Sequence, residues 1–169
     1  ELDENEVYDI TKSLQKKYNV KRITLDEQIT SLNSRTETED SSIVINSNYD
    51  AIIIAKPTKP FSEKDKFIID QYVMHGGKVL WLIDPVSATM DSLQTSESTI
   101  GNALDLNLDD MFFKYGLRLN KNLLLDLNSA KIALRTGQMG GQAQIEYFNW
   151  YYFPLLNAAS DNSIVKNIN

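Results

Sequence analysis

Four stretches carry residue types that could do chemistry. The single histidine, His75, follows Asp70 and precedes Asp84, so a carboxylate could orient its imidazole as a general base. It falls in the last turn of an expected helix, where an imidazole also suits the negative end of the helix dipole. No Gly-x-Ser-x-Gly elbow occurs in the chain to supply a nucleophile. Asp105-Leu106-Asn107-Leu108-Asp109-Asp110 opens like a calcium loop, with oxygen ligands at alternate positions. Asp110 stands where the sharp turn needs glycine, and Gly116 where the bidentate glutamate belongs. The plainer reading is a helix N-terminus with acidic residues facing the dipole. Gly76-Gly77-Lys78 precedes an expected strand and does not open a helix, so it would not present amides to a phosphate. Gly137 to Gly141 fails the same test. The expectation is no catalytic residue, no metal ligand set and no cofactor.

The fourth stretch is aromatic. Tyr147, Phe148, Trp150, Tyr151, Tyr152 and Phe153 place six rings in seven positions. Side chains of a strand alternate between faces, so these rings cannot all enter one core. They read either as an exposed interaction surface, for a protein or a sugar, or as a strand buried on both sides. As a surface, they would dock a neighbouring domain or subunit.

The chain around these stretches is organised by Tyr49 to Pro85. Ala51 to Ala55 is a continuous β-branched and apolar run, the pattern of a parallel strand covered on both faces. Lys56-Pro57 stops it. Ser62, three residues before Asp65, caps a helix in which Ile68, Ile69, Tyr72 and Val73 form the apolar face. Gly76-Gly77 ends that helix, and Lys78 to Ile83 is a second buried strand closed by Asp84-Pro85. A strand–helix–strand unit of this length predicts an α/β fold, Rossmann-like, with a mostly parallel central sheet flanked by helices.

Before this unit, Asp3 and Glu6 predict a capped helix with Val7, Ile10, Leu14 and Tyr18 as its buried stripe. Val20 to Leu25 reads as a short strand. Ser31 to Ser42 is polar and reads as a surface loop. Ile43-Val44-Ile45 is either a short extra strand or packing at the end of that loop. After it, the segment from Val86 to Asn102 has no sustained period and leaves the carboxyl end of a strand, where open α/β sheets place ligand crevices. Asn107 is expected to cap a short helix bearing Leu108, Met111, Phe112 and Tyr115, ended by Gly116. From Leu117 onward the runs are strand-like, adding antiparallel strands in the C-terminal third, with the hairpin tip at 137–141.

The 169 residues suffice for one domain with a core, 1–169, with no linker between two cores. A net charge of −6 with scattered basic residues argues against a nucleic-acid surface. No apolar run approaches a membrane span. With 0 cysteines and 1 histidine, thiolate sites and any site needing two imidazoles are excluded. The sequence opens on Glu-Leu-Asp without an initiator methionine, and no strand precedes its first helix. Both features suggest an excised piece of a longer protein.

The run YDAIIIAKPTKPFSEKDKFIIDQYVMHGGKVLWLIDP, followed by MDSL, LNLDDMFFKYGLRLNKNLLLD, NWYYFPLL and IVKN, resembles the GldG family. These are gliding-motility-associated auxiliary subunits of ABC transporters in the Bacteroidetes. The resemblance spans essentially the whole chain. It implies a glutamine-amidotransferase-like α/β fold without the activity, since the amidotransferase cysteine has no counterpart here. In that family a segment ending Gly-His-Gly directly precedes the residues matching Glu1-Leu2, and the protein continues past Asn169 towards a membrane anchor. The resemblance therefore implies an extracytoplasmic, periplasmic domain whose only membrane association is through segments outside this chain. Its implied partners are the permease and ATPase subunits of an ABC transporter. The leading reading is a non-enzymatic accessory domain working through protein contacts. A glycan-binding module using the crevice after Asp84 and the aromatics of 147–153 is the alternative, and an unusual hydrolase built on His75 is the third.

Overall fold

A computed structural model describes residues 2–88 and 98–156. The chain divides into two compact units, Glu1–Lys121 and Asn122–Asn169.

The first unit is built on the expected strand–helix–strand stretch. Strand β3 (Ala51–Ala55) pairs in parallel with β4 (Lys78–Leu82), with Ala51 opposite Lys78 and Ala55 opposite Leu82. Helix α2 (Glu63–Met74) connects them. It begins where sequence chemistry requires, because the Ser62 hydroxyl accepts the Asp65 amide at 3.1 Å. It ends at Gly76, whose φ of +90° is the left-handed conformation that closes a helix, with the Gly77 amide returning to the Tyr72 carbonyl at 2.9 Å. Gly77 has a second reason to lack a side chain: a Cβ there would lie 2.3 Å from the Tyr72 ring.

The core gathers Ile68, Ile69 and Tyr72 of α2 with Leu32, Leu106, Leu108, Met111 and Phe112. Met111 and Phe112 belong to helix α3 (Asp109–Lys114). Ile52, Ile54, Val79 and Trp81 bring one face of the β3–β4 pair against this cluster. The Trp81 ring meets Phe112 edge-on at 5.1 Å and Phe61 at 6.1 Å. Tyr72 closes the core with a 2.8 Å hydrogen bond from its hydroxyl to the Tyr49 carbonyl.

The remaining elements depart from the expected fold class. The β3–β4 pair is the sole parallel pairing among the described residues. Strands β1 (Asn33–Glu37) and β2 (Ile43–Ser47) form an antiparallel hairpin, and β5 (Val86–Ser87) pairs antiparallel with β6 (Asn102–Ala103). Among the described residues there is no extended parallel sheet of the Rossmann-like or amidotransferase-like kind. The physical reason is connectivity. Parallel pairing needs a crossover, and among the described residues only the stretch from Ala51 to Leu82 places a helix between two strands that pair. Val20–Leu25, expected as a short strand, is irregular. Nor is the parallel pair covered on both faces: Ile53, Leu80 and Leu82 are each about half-exposed.

Three local expectations are corrected as well. Helix α1 (Tyr8–Gln15) forms after a turn in which the Asp3 amide donates to Glu6 Oε2 at 2.8 Å, but none of its residues is buried. Ile10 and Tyr18, expected in its buried stripe, are exposed. The polar run 31–42 contains fully buried Leu32 and all of β1. Asn107 does not cap α3; Leu108 occupies that position, without a side-chain bond. Part of the aperiodic stretch after Pro85, 89–97, lies outside the described residues.

The described part of the second unit is dominated by a long hairpin, β7 (Ser129–Met139) with β8 (Gln142–Pro154). Gly140 and Gly141, at φ +61° and +85°, make the two-residue turn, a pair of left-handed conformations that suits the twist of the flanking strands. Among the described residues these strands pair only with each other.

Candidate functional site

The carboxylates that could have oriented His75 are engaged elsewhere. Asp70 accepts the Tyr115 hydroxyl at 2.7 Å, and Asp84 pairs with Lys56 at 3.7 Å. His75 sits at the end of α2 with Nδ1 2.7 Å from the Gln71 carbonyl. A carbonyl only accepts, so Nδ1 carries the proton in that bond. The ring thus bonds a helix-end carbonyl. Burial first, and then the Asp70 carboxylate, pushes the Tyr115 phenol up to about 12.

The calcium-like run is occupied by the protein's own cation. Lys66 is nearly buried on α2, and its ammonium lies 2.9 and 3.0 Å from the two oxygens of Asp110, 2.8 Å from Glu63 and 3.5 Å from Asn107 Oδ1. Asn107 takes a left-handed conformation, φ +54°, and donates from Nδ2 to the Phe61 carbonyl and to Glu63 Oε1, both at 2.9 Å. Asp109 pairs with Lys121 at 3.1 Å. Bonding to Lys66 holds both the Asp110 and Glu63 carboxyls below the usual carboxylate range, and Glu63 in turn raises the Lys66 ammonium. Among the described residues no cluster of three metal-ligating side chains exists. This cluster joins the start of α2 to the start of α3. Sequence reading passed over Lys66; its spacing of i, i+3 from Glu63 was the available signal.

At the carboxyl ends of β3 and β4 an open hollow is lined by Leu2, Ala55, Lys56, Trp81, Leu82, Ile83 and Asp84. Lys56 is held at φ +46° with its amide bonded to the Leu82 carbonyl at 2.7 Å. The place is the one expected of a crevice after Asp84. Its charged groups are one mutually paired lysine and aspartate, which leaves little to orient a polar ligand.

The aromatic stretch is the largest departure from an ordinary surface. Tyr147 is 68% exposed, while Phe148, Tyr151, Tyr152 and Phe153 each retain more than two-fifths of their accessible area. Trp150 is half-buried, its ring 5.8 Å from that of Tyr152. The simple alternation expected of these rings does not hold. Asn149 pairs with Lys131 and Pro154 with Ser129, so 150–153 bulge out opposite Ala130 alone. The Tyr151 carbonyl in that bulge accepts the Asp126 amide at 2.9 Å. Leu124, Leu125, Leu127 and Ile145 are also exposed in this unit. The stretch offers apolar contact area.

No helix among the described residues is long and apolar enough to cross a membrane. The family model described as an ABC-type uncharacterized transport system matches residues 1–169. No curated protein and no solved structure matches the chain.

Proposed function

Since the chain belongs to the ABC-type uncharacterized transport system family, we propose that it is a non-enzymatic accessory domain of such a system, working through protein contacts on the extracytoplasmic side of the membrane. The observation that carries this reading is the aromatic stretch Tyr147 to Phe153, in which every residue but Trp150 is exposed. Leaving apolar surface wet forgoes about 25 cal/mol per Å², which a partner covering the rings would recover. We assign that partner to the permease subunit of the transporter, through which the ATPase subunit would be recovered as well. The resemblance of the 49–85 run to the GldG family supports an association with gliding motility and a periplasmic domain of a membrane-anchored protein. The engaged states of His75, Asp70 and Asp84 support a role without catalysis.

The test is co-purification of the tagged protein with its transporter subunits from detergent-solubilised membranes. Trp150→Ala and Tyr152→Ala should reduce the recovered permease or ATPase at least several-fold, with circular dichroism unchanged. Undiminished recovery with both variants would exclude the stretch as the contact. A glycan-binding role would instead appear as sugar-dependent quenching of tryptophan fluorescence that Trp150→Ala abolishes.

A further inference from the structure

The backbone edge of β8 is a second feature of the hairpin, separate from its rings. β7 carries Lys131 and Arg135, and an extra residue, Thr136, interrupts its ladder where Arg135 pairs with Ile145 and Gly137 with Gln144. Charges and bulges of this kind blunt a strand against further pairing. The 142–149 run of β8 has neither proline nor bulge, and Glu146 is its one charge. Among the described residues its outer edge has no partner strand. A two-stranded hairpin is marginal by itself, and further strands are the usual remedy.

We propose that β8 pairs edge to edge with β8 of a second copy of this chain, antiparallel about a two-fold axis through Ile145. The register follows from charge. An axis through Glu146 would set two glutamates opposite each other, which costs stability. An axis through Ile145 places Gln144 opposite Glu146 of the second copy, Ala143 opposite Tyr147, and Gln142 opposite Phe148. Gln144 Nε2 already reaches Glu146 Oε1 at 3.2 Å within one strand, so both side chains lie on one face and can hydrogen-bond across the axis. Ile145, Ala143 and Tyr147 form the other face, and the two axis-related isoleucines meet at its centre. The result is a four-stranded sheet with the charged, interrupted β7 strands outermost. It leaves the bulged rings 150–153 outside the new ladder.

Having 0 cysteines, the chain makes a clean background for cross-linking. Opposed residues of antiparallel strands have Cα atoms roughly 4.5–5.5 Å apart, within disulfide range. The 169-residue protein with Ile145→Cys, oxidised by air with a copper catalyst, should give a covalent dimer much faster than Gln138→Cys on β7. Light scattering of the unmodified protein should show a mass rising with concentration from 19.2 kDa towards twice that value. Gln144→Glu sets like charges opposite each other at two symmetric positions and should weaken association about tenfold, whereas Gln144→Lys should preserve it. A constant monomer mass at the highest soluble concentration would overturn the proposal. So would equal cross-linking at 145 and 138, or association indifferent to Gln144→Glu. None of these measurements involves a transporter subunit, so the self-pairing and the docking reading fail independently.

Discussion

β3–β4 and β7–β8 are both two-stranded and both rich in apolar side chains, yet among the described residues only the first has helices of its own unit packed against it. α2 follows β3 after a short connection and returns the chain to β4, so the same polypeptide that makes the pair also covers one of its faces. β7 and β8 are joined by a two-glycine turn that leaves no chain between them to form a cover. The rings of β8 are as apolar as Trp81 or Phe112, but a turn that short cannot bury them. Apolar content therefore predicts burial only where the connection brings a second layer.

The largest effect should come from removing the centre of the covered region. Tyr72 is fully buried, and Tyr72→Ala would lose its ring and its bond to Tyr49 at a cost of about 3–5 kcal/mol. Urea unfolding followed by far-UV circular dichroism would measure it; a loss below that of an exposed ring would erase the contrast between the two strand pairs. Gly77→Ala probes the same ring from the other side. Its Cβ would collide with the Tyr72 ring, so about 1–3 kcal/mol should be lost, whereas a Cβ at Gly137 would meet only Gln144 Oε1 in ordinary contact at 3.6 Å, which predicts a smaller loss for Gly137→Ala.

The Lys66 cluster gives an effect of intermediate size with a defined pH dependence. The Asp110 and Glu63 carboxyls are lowered from their usual 3.8 and 4.5, so they contribute stability above those values that disappears as pH falls through the folded ones. Lys66→Met removes the common cause and should flatten the acid limb of a melting-temperature profile. At the alkaline end the sign reverses. Tyr115 is raised from 10.0 to about 12, so its contribution is complete below pH 10 and is lost as pH climbs towards 12. Tyr115→Phe should make that limb shallower. The smallest effect is expected on the hairpin: Tyr147→Ala, at a ring already in water, should change stability by no more than about 0.5 kcal/mol. A larger loss in the chain alone would mean the ring is covered in solution.

What the sequence alone determined was set by neighbours along the chain. The parallel pairing of β3 with β4, the Ser62 cap and the helix end at Gly76-Gly77 each depend on residues within a few positions and form where read, whereas the cover expected on both faces of that pair is missing from one and the hairpin tip read at 137–141 narrows to Gly140-Gly141. Tertiary structure decided the rest, because those outcomes hang on distant partners. Leu32 is buried inside a run that reads as polar loop, since only the folded chain brings it to α2. The calcium-like oxygens receive an ammonium 44 residues away in sequence, and no local pattern around Asp110 announces it. The aromatic alternation fails because Ala130 alone spans four residues of β8, a mismatch invisible in either strand by itself. Among the described residues the parallel sheet stops at two strands for the same reason: hydrophobic runs specify that a strand can form, but the crossovers decide which strands lie side by side.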